Sequence, residues 1–134
     1  MAEKDMRQRI INILRPLDAV SVENSAYPGT PDVNFIEGWL ELKWLRSWPI
    51  QAETPVLISH FTQQQKVWLK RRWLKGGNAW LLLQCKREWI LFDGDTAALY
   101  VGRMTRGELI ERAHSYWRDG LNRTALIKHI TKKK

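Results

Sequence analysis

The sequence predicts one α/β domain, a mixed β-sheet flanked by helices, with elements in the order αβββαββαα. Three observations predict it. Five short runs of strand character, at 20–22, 32–36, 39–45, 79–84 and 88–92, alternate with segments of helical spacing. Turn residues punctuate them at Pro28-Gly29, Glu37-Gly38 and Gly76-Gly77. The chain has 134 residues, 44% of them hydrophobic and eight of them tryptophan, which is enough for one core and little more.

Taken in order, Met6, Ile10, Ile11, Ile13 and Leu14 mark a first helix that Pro16 ends. Val20-Ser21-Val22 alternates as a short strand, and Asn24 to Pro31 is a loop. Pro31 biases Thr30 towards extended backbone, so a strand can begin at Asp32. Residues 32–36 and 39–45 form a hairpin turning at Glu37-Gly38. After a loop at 46–60, Thr62 caps a helix reaching about Lys75. A second strand pair, 79–84 and 88–92, turns at Lys86-Arg87. Thr105 and Glu108 then form a capping box that opens a helix to about Trp117. A last short helix lies near residues 122–130, and Lys132 to Lys134 form a basic tail. Residues 103–134 are thus a C-terminal helical part.

Net charge is +8, which favours polyanionic partners such as nucleic acid or an anionic membrane surface. The charge is divided. Residues 1–59 carry six Lys/Arg against eight Asp/Glu, and residues 60–134 carry sixteen against six. An acidic half able to hold a cation joins a basic half able to hold phosphates. The lone cysteine, Cys85, excludes an internal disulfide and sits beside an apolar run, as a core thiol does. The N-terminus is charged and no apolar run approaches about 18 residues, so neither a signal peptide nor a membrane span is expected. The expected compartment is the cytoplasm. His60, His114 and His129 lack zinc spacing, and no Gly-rich nucleotide loop or Ser-His-Asp arrangement is evident.

The hairpin carries the chemistry. Strand residues alternate faces, so Glu41 and Lys43 point one way while Leu40, Leu42 and Trp44 point the other. Asp32 begins the partner strand and reaches the same patch, with positions 32 and 43 counted as roughly opposite. Two converging carboxylates repel, and a divalent cation relieves that repulsion. Mg²⁺ takes oxygen ligands and keeps several waters, so Asp32, Glu41 and the Leu42 carbonyl suffice as protein ligands. A cation there polarises a phosphodiester and acidifies a bound water. Lys43 beside it orients the water or neutralises charge on the phosphate.

Thr30-Pro31-Asp32 followed by Glu41-Leu42-Lys43 resembles the signature of PD-(D/E)XK nucleases, whose core is that of restriction endonucleases. More narrowly, Gly29-Thr30-Pro31-Asp32, Glu41-Leu42-Lys43 and Thr62-Gln63-Gln64-Gln65 are similar to the VRR-NUC (virus-type replication-repair nuclease) domain. Thr stands at position 62 where that family has Ser. The resemblance spans roughly residues 20–92. It implies that Asp32 and Glu41 bind Mg²⁺ or Mn²⁺, that Lys43 is catalytic, and that Gln65 lies next to the site. Gln65 also shares a helical face with Trp68, Leu69 and Trp73, so it needs a partner; a bond to the sheet and a role with water or phosphate are both open. A further acidic group often comes from the first helix or the next strand, which points to Glu23, with Glu3 as the alternative.

The expected partner is DNA. Ser25 and Tyr27 in the Asp32 loop, Arg46 and Trp48 overhanging the site, and Lys66, Lys70, Arg71 and Lys75 on the second helix are the candidate contacts. Arg103 and Arg106 are candidates for an added clamp, and Trp39 for stacking. Small stand-alone relatives, phage or bacterial, are similar to Holliday junction resolvases. The resemblance therefore implies a structure-selective endonuclease of branched DNA, needing no small-molecule cofactor and acting in a bacterial cell or phage-infected host. Two symmetric cuts imply a homodimer, with Trp117, Leu121 and Leu126 as a candidate interface. A monomeric flap or nicking endonuclease, a non-catalytic binding module and an RNA-directed nuclease are the alternatives.

Overall fold

In the computed structural model, which describes residues 3–23 and 27–132, helix α1 (Glu3–Ile13) opens the chain. Met6, Ile10 and Leu14 recur at helical spacing and are fully buried. Pro16 sits in a 3-10 turn (Arg15–Leu17) that ends the helix. Strands β1 (Val20–Ser21), β2 (Val33–Phe35) and β3 (Gly38–Leu45) form an antiparallel meander. Helix α2 (Gln63–Leu74) crosses over to β4 (Ala79–Cys85), which runs parallel to β3. Strand β5 (Glu88–Asp93), helices α3 (Gly94–Tyr100) and α4 (Arg106–Arg112), strand β6 (Ser115–Trp117) and helix α5 (Arg123–Ile130) complete the chain. The six strands lie in chain order, so two antiparallel meanders meet at the central parallel β3–β4 seam.

Both faces of the sheet are covered. Leu40 and Leu42 of β3 join Trp80, Leu82, Trp89 and Leu91 on one face, under α1 and α5. Leu81, Leu83, Ile90 and Phe92 form the other face, beneath Trp68 and Leu69 of α2, Ala97 of α3 and Leu109 of α4. Alternating side chains serve two cores because each face has its own helices. Cys85 is buried, and burial pushes its thiol up to about 11, as suits an inert core group. No helix among the described residues is long and apolar enough to cross a membrane.

The element order agrees with the sequence reading as far as β5, and three details differ. The hairpin turn is Ile36-Glu37, because Gly38 already pairs with Phe35. Gly38 fits there because its backbone lies against Asn78, whose carbonyl oxygen is 1.9 Å from where a Cβ would stand. The expected helix from Thr105 to Trp117 keeps its capping box but stops at Arg112. The His114 amide then donates to the Leu91 carbonyl, and Ser115–Trp117 become an edge strand on β5. Residues 94–100 form a helix of their own, capped by Asp93.

The proposed dimer contacts also look different in space. Leu126 is fully buried in the chain's own core, and Trp117 and Leu121 pack against that core half-buried. Leu126 therefore has no surface to offer a second copy.

Candidate functional site

Register brings the acidic residues together. Val33 pairs with Leu40 and Asn34 with Trp39, so one further step sets Asp32 against Glu41, not against Lys43 as counted from the sequence. The Asp32 side chain caps the ladder: its Oδ2 accepts from the Leu42 amide at 2.9 Å. The main chain of Asp32 is fixed from the other side, where its carbonyl accepts from the Val22 amide at 2.8 Å.

Pro31 then matters for what it lacks. The N–H and C=O of one strand residue leave on the same side, so the Leu42 carbonyl also faces the Asp32 segment. Its partner in a continued ladder is residue 31, and proline has no N–H to donate. That oxygen is left without its ladder donor beside two carboxylates.

Glu41 and Lys43 lie on the α2 side of β3, 1% and 2% exposed. The Lys43 Nζ is held on three sides. It lies 3.0 Å from Glu41 Oε2 and donates to the His60 carbonyl at 2.9 Å and to Gln65 Oε1 at 3.0 Å. Gln65 Oε1 also accepts from the Thr62 amide at 2.9 Å, while Thr62 Oγ1 accepts from the Gln65 amide. Thr62-x-x-Gln65 is thus a capping box whose glutamine doubles as an anchor for the lysine. Of the two possibilities open for Gln65, the structure shows the bond to the sheet, made to Lys43.

The other Glu41 oxygen, Oε1, is buried and meets no donor among the described residues, and the carboxyl adjoins the Asp32 carboxylate, with which it can bond only by holding a proton. Burial, and next the nearby Asp32 charge, push the Glu41 carboxyl up to about 8, against the opposing pull of Lys43. In the metal-free protein at pH 7 the group is therefore mostly protonated. A buried carboxyl oxygen without a donor, a second carboxylate and a carbonyl lacking its ladder donor make an all-oxygen set, which fits a hard divalent cation such as Mg²⁺. Among the described residues no three His, Cys, Asp or Glu side chains gather, so the set is two carboxylates plus backbone.

Other residues reach this centre that sequence periodicity did not single out. Arg7 of α1 places Nη2 3.9 Å from Asp32 Oδ1. The His60 imidazole has a lowered pKa, chiefly from burial and then from Lys43, while Glu3 and Asp32 pull the other way. Glu3 is thus electrostatically coupled to the site's periphery. Glu23 is exposed just beyond the end of β1, and no hydrogen bond or ion pair among the described residues ties it to Asp32 or Glu41. Ser25 lies outside the described residues.

Gly29 locks the Asp32 loop onto α2. Its φ is +91°, and a Cβ there would stand 2.4 Å from the Gln64 carbonyl oxygen. Thr30 holds the same turn through Oγ1 donating to the Tyr27 carbonyl at 2.6 Å. Gly29→Ala is expected to destabilise the protein by about 2 kcal/mol, from strained φ plus steric clash. Equilibrium urea unfolding checks this, and an unchanged midpoint would show that the loop is not seated on α2.

The candidate DNA contacts divide by position. Lys70 and Arg71 are exposed on α2 and Lys75 at its C-cap, and half-buried Lys66 places its amine 5.4 Å over the Phe61 ring. Arg46 and Trp48 lie beyond the far end of β3 and do not overhang the carboxylates. Arg46 lines an open hollow with Trp44, Lys86 and Arg87. Trp48 Nε1 donates to Glu88 Oε2 at 2.7 Å. The other Glu88 oxygen accepts from Arg106 and Tyr116, each at 2.6 Å, so Arg106 is committed to an internal network and is not a free clamp. Arg103 is exposed.

No protein-family model matches the chain, and no curated protein matches it significantly in sequence. The VRR-NUC resemblance therefore rests on the motif residues alone. Among solved structures the chain is similar to Hjc, a Holliday junction resolvase from the archaeal hyperthermophile Archaeoglobus fulgidus. The TM-score is 0.44 at 18% identity, covering 80% of this chain and 97% of that one.

Proposed function

We propose that the chain is a divalent-metal-dependent, structure-selective DNA endonuclease of the PD-(D/E)XK type that cuts branched DNA, as a homodimer on four-way junctions. The carrying observation is that the buried Glu41 carboxyl converges on the Asp32 carboxylate, with no donor at Oε1 and the anchored Lys43 amine at the other oxygen. A purely structural Glu–Lys pair gains nothing from having a second carboxylate set against it.

Asp32, Glu41 and the Leu42 carbonyl would hold Mg²⁺ or Mn²⁺. Such an ion supplies Lewis acidity and a nucleophilic water. The chain's own residues do the rest. Lys43, fixed by Gln65 and the His60 carbonyl, stands ready to position a water or to meet charge developing on a phosphate oxygen. Arg7 balances Asp32 from the other side, and the exposed cations of α2 follow the phosphate backbone.

The test is cleavage of labelled four-way junction, flap and linear duplex DNA with Mg²⁺, Mn²⁺ or EDTA, by wild type and Asp32→Ala. Metal-requiring cuts are expected, reduced by about 10³-fold or more in the variant. Symmetric junction cuts support the resolvase reading; flap cuts support the monomeric flap reading and leave the nuclease standing. A folded wild type that cuts nothing, or an Asp32→Ala variant that cuts as well, overturns the proposal. Sedimentation as a monomer with and without junction DNA would remove the dimer.

A further inference from the structure

The loop holding Asp32 and the α2 helix enclose an open cleft of about 490 Å³ that the proposed chemistry does not use. Tyr27 and Thr30 form one wall, Trp39 of β3 and Trp68 of α2 the floor, and Arg71 and Arg72 the opposite rim. It adjoins the carboxylates at two points. Thr30 leads through Pro31 into Asp32, and Trp39 lies two residues before Glu41 on the same face of β3. Smaller hollows continue it, one along α2 through Gln63, Gln64 and Val67, the other towards Gly38 and Asn78.

The lining is a stacking array edged by cations. Trp39 meets Trp68 edge to face with centroids 5.3 Å apart. The Arg72 guanidinium lies 4.4 Å over the Trp68 ring. Tyr27 is 68% exposed, and Trp39 is half-buried, so aromatic surface remains open. Arg71 and Arg72 are both exposed. Aromatic surface beside guanidinium groups suits a flat, polarisable ring attached to phosphate. A paired duplex presents only base edges in its grooves, so an indole set in a recess meets a base only when that base has left its stack.

From this arrangement we infer that the cleft is a subsite for an unpaired nucleotide of DNA, its base stacking against Trp39 and Tyr27 and its phosphates meeting Arg71 and Arg72. The inference rests on the nuclease reading for one point only, that the subsite lies beside a scissile phosphate. The preferred substrate is then branched DNA with a single-stranded segment next to the cut.

The test is run in EDTA, so that it reads binding alone. A 2-aminopurine base is placed in the single-stranded tail of an otherwise duplex oligonucleotide, with a blunt duplex and an all-ribose tail for comparison. Wild type is expected to quench the tail's fluorescence and to bind tailed DNA more tightly than blunt duplex. Trp39→Leu is expected to abolish quenching and to weaken tail binding about 5- to 150-fold, the range for one stacked base, with blunt-duplex affinity unchanged. Tyr27→Ala, at an exposed position, is expected to weaken quenching without touching the core. Arg72→Gln is expected to lower the salt slope for the tail by about 0.7. Equal quenching by wild type, Trp39→Leu and Tyr27→Ala would overturn the subsite, as would equal affinity for tailed and blunt DNA. Tighter binding of the ribose tail would overturn its assignment to DNA. Normal quenching without any cleavage in Mg²⁺ would sink the nuclease and leave the subsite; cleavage without quenching would do the reverse.

Discussion

Glu41→Gln is expected to make the metal-free protein more stable at pH 7, by about 3 kcal/mol, while removing its response to metal. Below about pH 4.5 the Glu41 carboxyl is protonated in both the folded and the unfolded chain and contributes no pH dependence. Between there and about 8 the unfolded chain gives up the proton while the folded chain keeps it. Stability is therefore lost as pH rises through that window and levels off above it. A glutamine has nearly the shape of the protonated acid and no proton to lose. Its carbonyl can face Lys43 while its amide faces the Asp32 carboxylate. Urea unfolding of both proteins in EDTA from pH 5 to 9 measures the difference, which should widen up to about pH 8.

Metal reverses the ranking. A cation at this site must displace the Glu41 proton, so apparent Mn²⁺ affinity of the wild type should rise about tenfold per pH unit below 8. The variant should show neither that rise nor a metal-induced gain in melting temperature. Parallel pH profiles for the two proteins in EDTA would mean that Glu41 is ionised throughout, and that the chemistry argued for this oxygen is wrong.

The second large effect concerns Lys43. Its amine is 2% exposed and lies against three oxygens. Lys43→Met leaves Glu41 Oε2 and the His60 carbonyl buried without this donor. The expected loss is about 3 kcal/mol, the low end for breaking a buried pair, because the orphaned carboxyl can stay protonated. For a chain of this length that lowers the melting temperature by on the order of 10 °C. Adding Glu41→Gln should recover part of the loss, so the double-mutant cycle should show a coupling of at least about 1 kcal/mol. Strict additivity would argue that the two side chains do not act as a pair. Cleavage, where the wild type shows it, should be lost in both variants.

The hairpin and its three polar residues were legible because strand alternation is local: Glu41 and Lys43 share a face whatever packs above them. The register was not, since the turn begins at Ile36, an apolar residue left 74% exposed, where Gly38 must start β3 against the Asn78 backbone. The capping boxes at Thr62 and Thr105 were readable as helix starts, but helix ends were less so. Helix α4 stops where the chain meets the free edge of β5, a tertiary event with no signature in residues 105–117 beyond the aromatic pair Tyr116-Trp117. Arg7 and His60 escaped for the same reason. Their approach to Asp32 and Lys43 depends on how α1 and the 46–60 loop pack, which no local spacing encodes.

The parallel β3–β4 seam has a consequence for how the molecule comes into being. The hairpins β2–β3 and β4–β5 close through contacts near in sequence, whereas the seam joins residues about forty positions apart, Glu41 beside Leu81 and Lys43 beside Leu83. Contacts of that span carry the larger loop-closure entropy and form against a slower clock. The Lys43 amine finds Gln65 only once α2 has been laid across that seam. A chain with one meander formed and the other still loose therefore has its acidic half and its basic half, but not yet the buried centre between them.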